Sequence, residues 1–195
     1  MNSRVDNVAR TGVWVGIGAI AMSFAAYTSA MVVRAGSSPE WQHFRIPSIL
    51  YLNTLVLLVS SVTLESGRRK IATLVDHPDW SGSAQQELRS AGLSRLYVTL
   101  ALGLMFLVGQ CFAWRDLAGQ GLFLATNPSS AFFYVFTVAH ALHLLGGLAG
   151  LANAVRRASA SVGPAPANAL SAVALYWHFM GVLWLYLLVV LALWV

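Results

Sequence analysis

The chain has 195 residues, of which 57% are hydrophobic and 10% charged, against about 25% charged in soluble domains. That balance excludes a water-soluble globule, which would have nowhere to put so many apolar side chains. The net charge of +5 is no nucleic-acid signal. Its basic residues sit at the ends of apolar runs, where the positive-inside bias puts them. A lone cysteine, Cys111, excludes an intrachain disulfide and any cysteine-based zinc or iron–sulfur site made by this chain alone. Cys111 lies in an apolar run and is expected to pack as a small hydrophobe.

The N-terminal segment, Met1 to Arg10, is polar and carries Arg4, Asp6 and Arg10. The apolar run behind it is too long for a signal-peptide core and is closed by no small-residue cleavage site, so it reads as a retained span. Five segments are long enough to cross about 30 Å of hydrocarbon at about 1.5 Å per residue. They are residues 11–33, 46–66, 93–114, 131–155 and 168–195. The runs are continuously apolar rather than alternating, which excludes β-barrel crossings. The predicted fold is therefore an all-α bundle of five transmembrane helices in one membrane domain, residues 1–195.

Between the second and third spans lies the longest and most polar connection, residues 67–92. Its Pro78 and Gly82 predict a turn before a short helical lead-in. The fourth connection carries Gly163-Pro164-Ala165-Pro166, a helix break. Small residues four apart, Gly12 with Gly16 and Gly146 with Gly150, are expected at helix contacts. Trp194 is expected in the interfacial belt, and Trp177 is too deep for that role.

Charge sets the orientation. Arg4, Arg10, Arg68, Arg69, Lys70, Arg89, Arg95, Arg156 and Arg157 fall on one side, and only Arg34, Arg45 and Arg115 on the other. Nine against three predicts a cytoplasmic N-terminus and a C-terminus outside.

Three imidazoles lie within the apolar runs: His140, His143 and His178. His140 is about 15 Å deep in the fourth span by helix rise, and His178 lies at a similar depth in the fifth. Intramembrane polar groups are costly and mark function. One reading is a haem or metal site, since imidazole is the commonest metal ligand. The other is an uncharged interhelical hydrogen-bond network with Thr, Tyr or backbone partners. The network is preferred, because no carboxylate or cysteine supplies further ligands at matching depth. Asn53, Thr54, Ser60, Ser61 and Thr63 make the second span the most polar, so it is expected to face other helices. Tyr134 is expected to join the same polar network. Glu65 ends that span, about 28 Å from its outer end by helix rise. It is expected at the cytoplasmic surface as an interfacial carboxylate paired with Arg68 or Arg69. No phosphate-binding glycine loop follows a strand, and no acid at the histidines' depth completes a Ser-His-Asp set.

Three phrases carry a family resemblance. Leu52-Asn53-Thr54-Leu55-Val56-Leu57-Leu58 with Ser60-Ser61-Val62-Thr63-Leu64-Glu65 comes first. Phe132-Phe133-Tyr134 leading to His140-Ala141-Leu142-His143-Leu144-Leu145-Gly146-Gly147 follows. Tyr176-Trp177-His178-Phe179, then Val182, Trp184 and Leu185, closes the set. In this order the chain resembles subunit III of the haem–copper oxidases, from Leu52 to the C-terminus. Five spans rather than seven resembles the shorter bacterial form without the two N-terminal helices.

Two positions depart from the family pattern. Many members hold a glutamate in the helix matching residues 11–33, where this chain has no acid. Many also hold an aspartate two residues after the Trp-His-Phe phrase, where this chain has Gly181. Proton-related roles of those carboxylates do not carry over.

The resemblance implies a non-catalytic subunit beside catalytic subunit I of a terminal oxidase, in the bacterial cytoplasmic membrane. It implies no haem or copper in this chain, both in partner subunits, bound phospholipid, and support of oxygen access and proton uptake. A related accessory protein of nitric oxide reductases is the alternative within the fold family. A self-contained haem protein built on the three histidines is the alternative outside it.

Overall fold

A computed structural model describes residues 2–77, 82–161 and 163–195, with side chains from Thr11 onward except that of Pro164. Five helices follow in chain order: α1 (Asn2–Ser37), α2 (Ile49–Asp76), α3 (Gly82–Gly119), α4 (Pro128–Ala160) and α5 (Pro164–Trp194). No strand occurs among the described residues. Each helix contains a stretch long and apolar enough to cross a membrane. Helices suit that solvent because they satisfy their own backbone N–H and C=O groups.

The helices outrun the apolar windows. Within residues 67–92, expected as a connection ending in a helical lead-in, the lead-in is the start of α3 at Gly82, and α2 runs on to Asp76 where no helix was expected. Apolar length measures only the part in hydrocarbon, whereas Arg, Lys, Gln and Glu continue a helix well into water. Gly82 thus opens α3 rather than forming a turn, and the turn expected at Pro78 lies outside the described residues. At its start α2 waits until Ile49 rather than Ile46, because Pro47 disfavours helical backbone at the residue before it. The Gly163-Pro164-Ala165-Pro166 break is also displaced. The chain leaves helix at Ser161, and Pro164 already opens α5. In a first turn the missing proline N–H has no intrahelical partner to lose. The N-terminus of α4 is capped by Asn127, whose side chain accepts from the Ser130 N–H at 2.7 Å.

Helices α2, α3, α4 and α5 form a ring, each packed on two neighbours, and α1 lies outside it against α4 and α5. The apolar window of α1 is 17% buried, against 33% to 44% for the others, so α1 is the peripheral helix. Successive helices alternate in direction. One end gathers Arg68, Arg69, Arg89 and Arg95, and Arg89 donates to the Ala158 and Ser159 carbonyls at 3.3 and 2.7 Å. At the opposite end the 38–47 segment crosses the bundle. There the Trp41 indole N–H reaches the Trp194 carbonyl at 2.8 Å, and Phe44 N–H reaches Val195 O at 2.7 Å.

Close approach falls at glycines other than those the four-residue spacing suggested. Gly12, Gly16 and Gly146 have nothing within 4 Å of a built Cβ, and Gly150 has an ordinary contact at 3.7 Å. Spacing marks a face of small residues but not what covers it. At Gly103 a Cβ would stand 2.7 Å from both Leu148 and the Trp177 ring. Trp177 is 1% exposed and fills the ring's centre there. Cys111 is exposed on α3 rather than packed inside.

Gly103→Ala is expected to cost about 1–3 kcal/mol through overpacking. Gly12→Ala is expected to stay within about 0.5 kcal/mol, the range for uncrowded sites. Reversible unfolding of the two purified variants in mixed micelles measures the difference, and equal costs would contradict the packing described.

Candidate functional site

The polar side of α2 faces its neighbours, and its apolar side (Tyr51, Leu55, Leu58, Val62) is exposed. Its hydroxyls and its amide bond to the facing helices. Trp177 Nε1 donates to Ser60 Oγ at 3.0 Å, and Trp184 Nε1 donates to Thr54 Oγ1 at 3.0 Å. Thr63 and Thr99 hydroxyls meet at 2.9 Å between α2 and α3. Asn53, 2% exposed, donates to the Phe106 carbonyl at 3.4 Å. Its side chain occupies the space that a Cβ on Gly109 would need. These contacts join α2 to both ring neighbours, because an indole N–H buried in hydrocarbon needs an acceptor.

The three histidines do not form one cluster. His140 is fully buried between Phe106 and Trp184, with ring centroids 5.8 and 5.0 Å away. Neither of its nitrogens is hydrogen-bonded in this chain, where a Thr, Tyr or backbone partner was expected. Gln110, one turn beyond Phe106 on the buried face of α3, likewise has no hydrogen bond at either end of its amide. His143 turns instead toward α1, at 6.0 Å from the Phe24 ring, and its Nδ1 lies 2.7 Å from Ala139 O. Three residues along a helix amount to about 300° of rotation, so the pair straddles a ridge and serves two neighbours. The Tyr176 hydroxyl donates to the His143 carbonyl at 3.0 Å.

His178 faces α2, with Nε2 3.9 Å from Glu65 Oε2. It therefore sits nearer the basic end than His140 does. Tyr134 joins no histidine. Its hydroxyl donates to Leu122 O at 2.9 Å and pins the α3–α4 connection.

Glu65 is an ion-paired carboxylate at the basic end. Arg68 engages both its oxygens, Nε at 2.9 Å and Nη2 at 2.7 Å, and Arg69 Nε adds 2.6 Å. Arg95 on α3 donates to Ser66. Among the described residues, no three His, Cys, Asp or Glu side chains converge as a metal site would require. The arrangement suits helix registration rather than bond-making chemistry.

Sequence reasoning missed Trp177, Trp184 and Thr99 as members of the polar contacts, and missed Gln110 as a buried amide outside them. A signal for the tryptophans was present. They are seven residues apart on α5, and Thr54 and Ser60 stand six apart on α2, a matching pitch.

Comparison with known proteins places this bundle. The family profile for cytochrome c oxidase subunit III matches residues 17–195. The chain is 32% identical over 174 residues to a probable cytochrome c oxidase subunit 3 of Mycobacterium tuberculosis, covering 86% of this chain and 77% of that one. It is 29% identical over 168 residues to cytochrome c oxidase subunit 3 of Corynebacterium diphtheriae, covering 83% and 74%. It is 27% identical over 174 residues to the Synechocystis subunit 3, covering 85% and 67%. With its helices, its three phrases and this match over nearly its whole length, the chain belongs to the cytochrome c oxidase subunit III family.

Proposed function

We propose that this multi-pass membrane protein is the non-catalytic subunit III of a respiratory terminal oxidase. In this reading it sits beside catalytic subunit I and other subunits in a bacterial cytoplasmic membrane. Haem and copper belong to the partner subunits. This chain supplies a stable packing surface, holds phospholipid, and sustains oxygen access and proton uptake by subunit I. The observation that carries the reading is the use made of intramembrane polar groups. Indoles, hydroxyls and an amide are spent on joining helices, and the histidines point to three different neighbours. Oxygen reduction needs redox centres, and that arrangement offers no shared ligand set. The relatives named above are oxidase subunits, which favours this reading over the nitric oxide reductase alternative.

Orientation belongs to the same proposal. Basic residues on the side of the α2–α3 and α4–α5 connections outnumber those opposite by nine to three, which supports a cytoplasmic N-terminus.

Removing the subunit is expected to leave the haem spectrum of subunit I intact and initial oxygen consumption running. What should fall is endurance under turnover, proton-uptake rate or complex yield. Oxygen consumption and haem content measured on the same depleted sample test this. Immediate loss of activity with the haems in place would refute a non-catalytic role.

Alkaline-phosphatase fusions after Lys70 and after Val195 test the orientation. The first is expected to be silent and the second active, and the reverse pattern would overturn it.

A further inference from the structure

One level of the ring carries polar side chains that no contact within the chain satisfies. Gln110 on α3 and His140 on α4 are both fully buried. Both ends of the Gln110 amide and both nitrogens of His140 lack a hydrogen bond among the described residues. Unpaired polar groups are costly in an apolar interior, and buried ones in folded proteins are nearly always satisfied.

Helix register puts the two side chains at one height. Trp114 Nε1 donates to Thr137 Oγ1 at 3.0 Å where α3 and α4 meet. Farther along the same contact, a Cβ at Gly103 would stand 2.7 Å from Leu148. These two contacts are eleven residues apart on each helix, so the antiparallel pair keeps one register between them. In that register Gln110 stands opposite Ala141, one residue from His140, or about 1.5 Å along the axis. Helix α2 reaches the same height. Its Asn53 fills the space beside Gly109, and its Thr63 meets Thr99 ten residues away on each helix. Asn53 is engaged with the Phe106 carbonyl. The rings touching His140 have no hydrogen bond to give it, since Phe106 has no polar side-chain atom and Trp184 Nε1 donates to Thr54. Ala113 and Ala141, both buried, bring only methyl groups to this height.

The chemistry of the pair sets what it can hold. The amide brings donors and an acceptor, and a neutral imidazole brings one of each. Within one turn of either residue, 106–114 on α3 and 136–144 on α4, there is no Asp, Glu, Lys or Arg. A charged ligand would thus be stripped of water without a counter-charge. Among the described residues no three His, Cys, Asp or Glu side chains converge, so a metal ion lacks its donor set. The occupant must be neutral, small, and both donor and acceptor. We propose that Gln110 and one nitrogen of His140 bind a single buried water molecule, which links α3 to α4 midway along the bundle. Buried waters take about three hydrogen bonds from otherwise unsatisfied groups, and a bridging water is nearly as favourable in enthalpy as a direct bond. The link lies one turn from the Trp114–Thr137 bond and gives His140 a structural role without a cofactor. It holds whatever complex the chain joins.

The test is a density map of the chain, purified from its native membrane with its partners, at a resolution that shows ordered water. A peak about 2.7–3.2 Å from both the Gln110 amide and a His140 nitrogen is expected. No peak between them, or a direct Gln110–His140 bond, overturns the proposal. Thermal unfolding of the same preparation gives a second reading. Gln110→Leu and His140→Phe each remove one side of the site and leave the other unpaired, so each is expected to lower the midpoint. The double variant removes the whole site, and its midpoint is expected to fall by no more than the larger single shift. Additive shifts, the mark of independent groups, overturn the proposal. Should a variant fail to fold, the map of the unsubstituted chain decides alone.

Discussion

A buried indole N–H in hydrocarbon has no water to fall back on, and here its acceptor comes from another helix. Everything in this bundle follows from how α2 and α5 meet that demand. Trp177 and Trp184 point their N–H groups at Ser60 and Thr54, each at 3.0 Å. The two bonds fix both the register and the facing of the two helices. Each such bond contributes only about 0.6 kcal/mol on average in membranes. Their weight lies in specificity: the Thr54 and Ser60 hydroxyls also donate to Leu50 O and Leu57 O of their own helix, but a rotated α5 would take both indole donors away from these acceptors.

Packing then completes what the bonds specify. With Trp177 at the centre of the ring, α3 passes only where it has no side chain, at Gly103. The neighbouring level is filled by Phe106, His140 and Trp184 in mutual ring contact. Such a core leaves its imidazole surrounded by carbon rather than by ligands. On its outside the chain offers the peripheral α1, the exposed apolar face of α2, and the basic end around Glu65.

Much of this was legible beforehand. Five long apolar runs and their basic flanks told of five helices, and Glu65 with Arg68 and Arg69 stood at helical spacing for an ion pair. The polar face of α2 was readable because five hydroxyl or amide residues in one span need partners. Other parts were not legible for physical reasons. Helix ends lay beyond the hydrocarbon, where apolar length says nothing, so α2 ran on to Asp76 and α3 began at Gly82. Rotation about a helix axis is set by neighbours, so a sequence spacing cannot say that His140 faces Phe106 while His143 faces Phe24. The contact glycines were hidden for the same reason. Gly103 has no glycine partner at the four-residue interval, and its neighbours come from α4 and α5.

The proposed function has this chain support a redox enzyme without holding a redox centre itself. Affinity purification of the tagged chain from its native membrane in mild detergent tests it most directly, with optical spectra and metal content recorded before and after the partner subunits are stripped away. The account predicts haem and copper in the copurified complex and a colourless, copper-free chain once it is alone. Haem or copper retained at one equivalent by the isolated chain would contradict it.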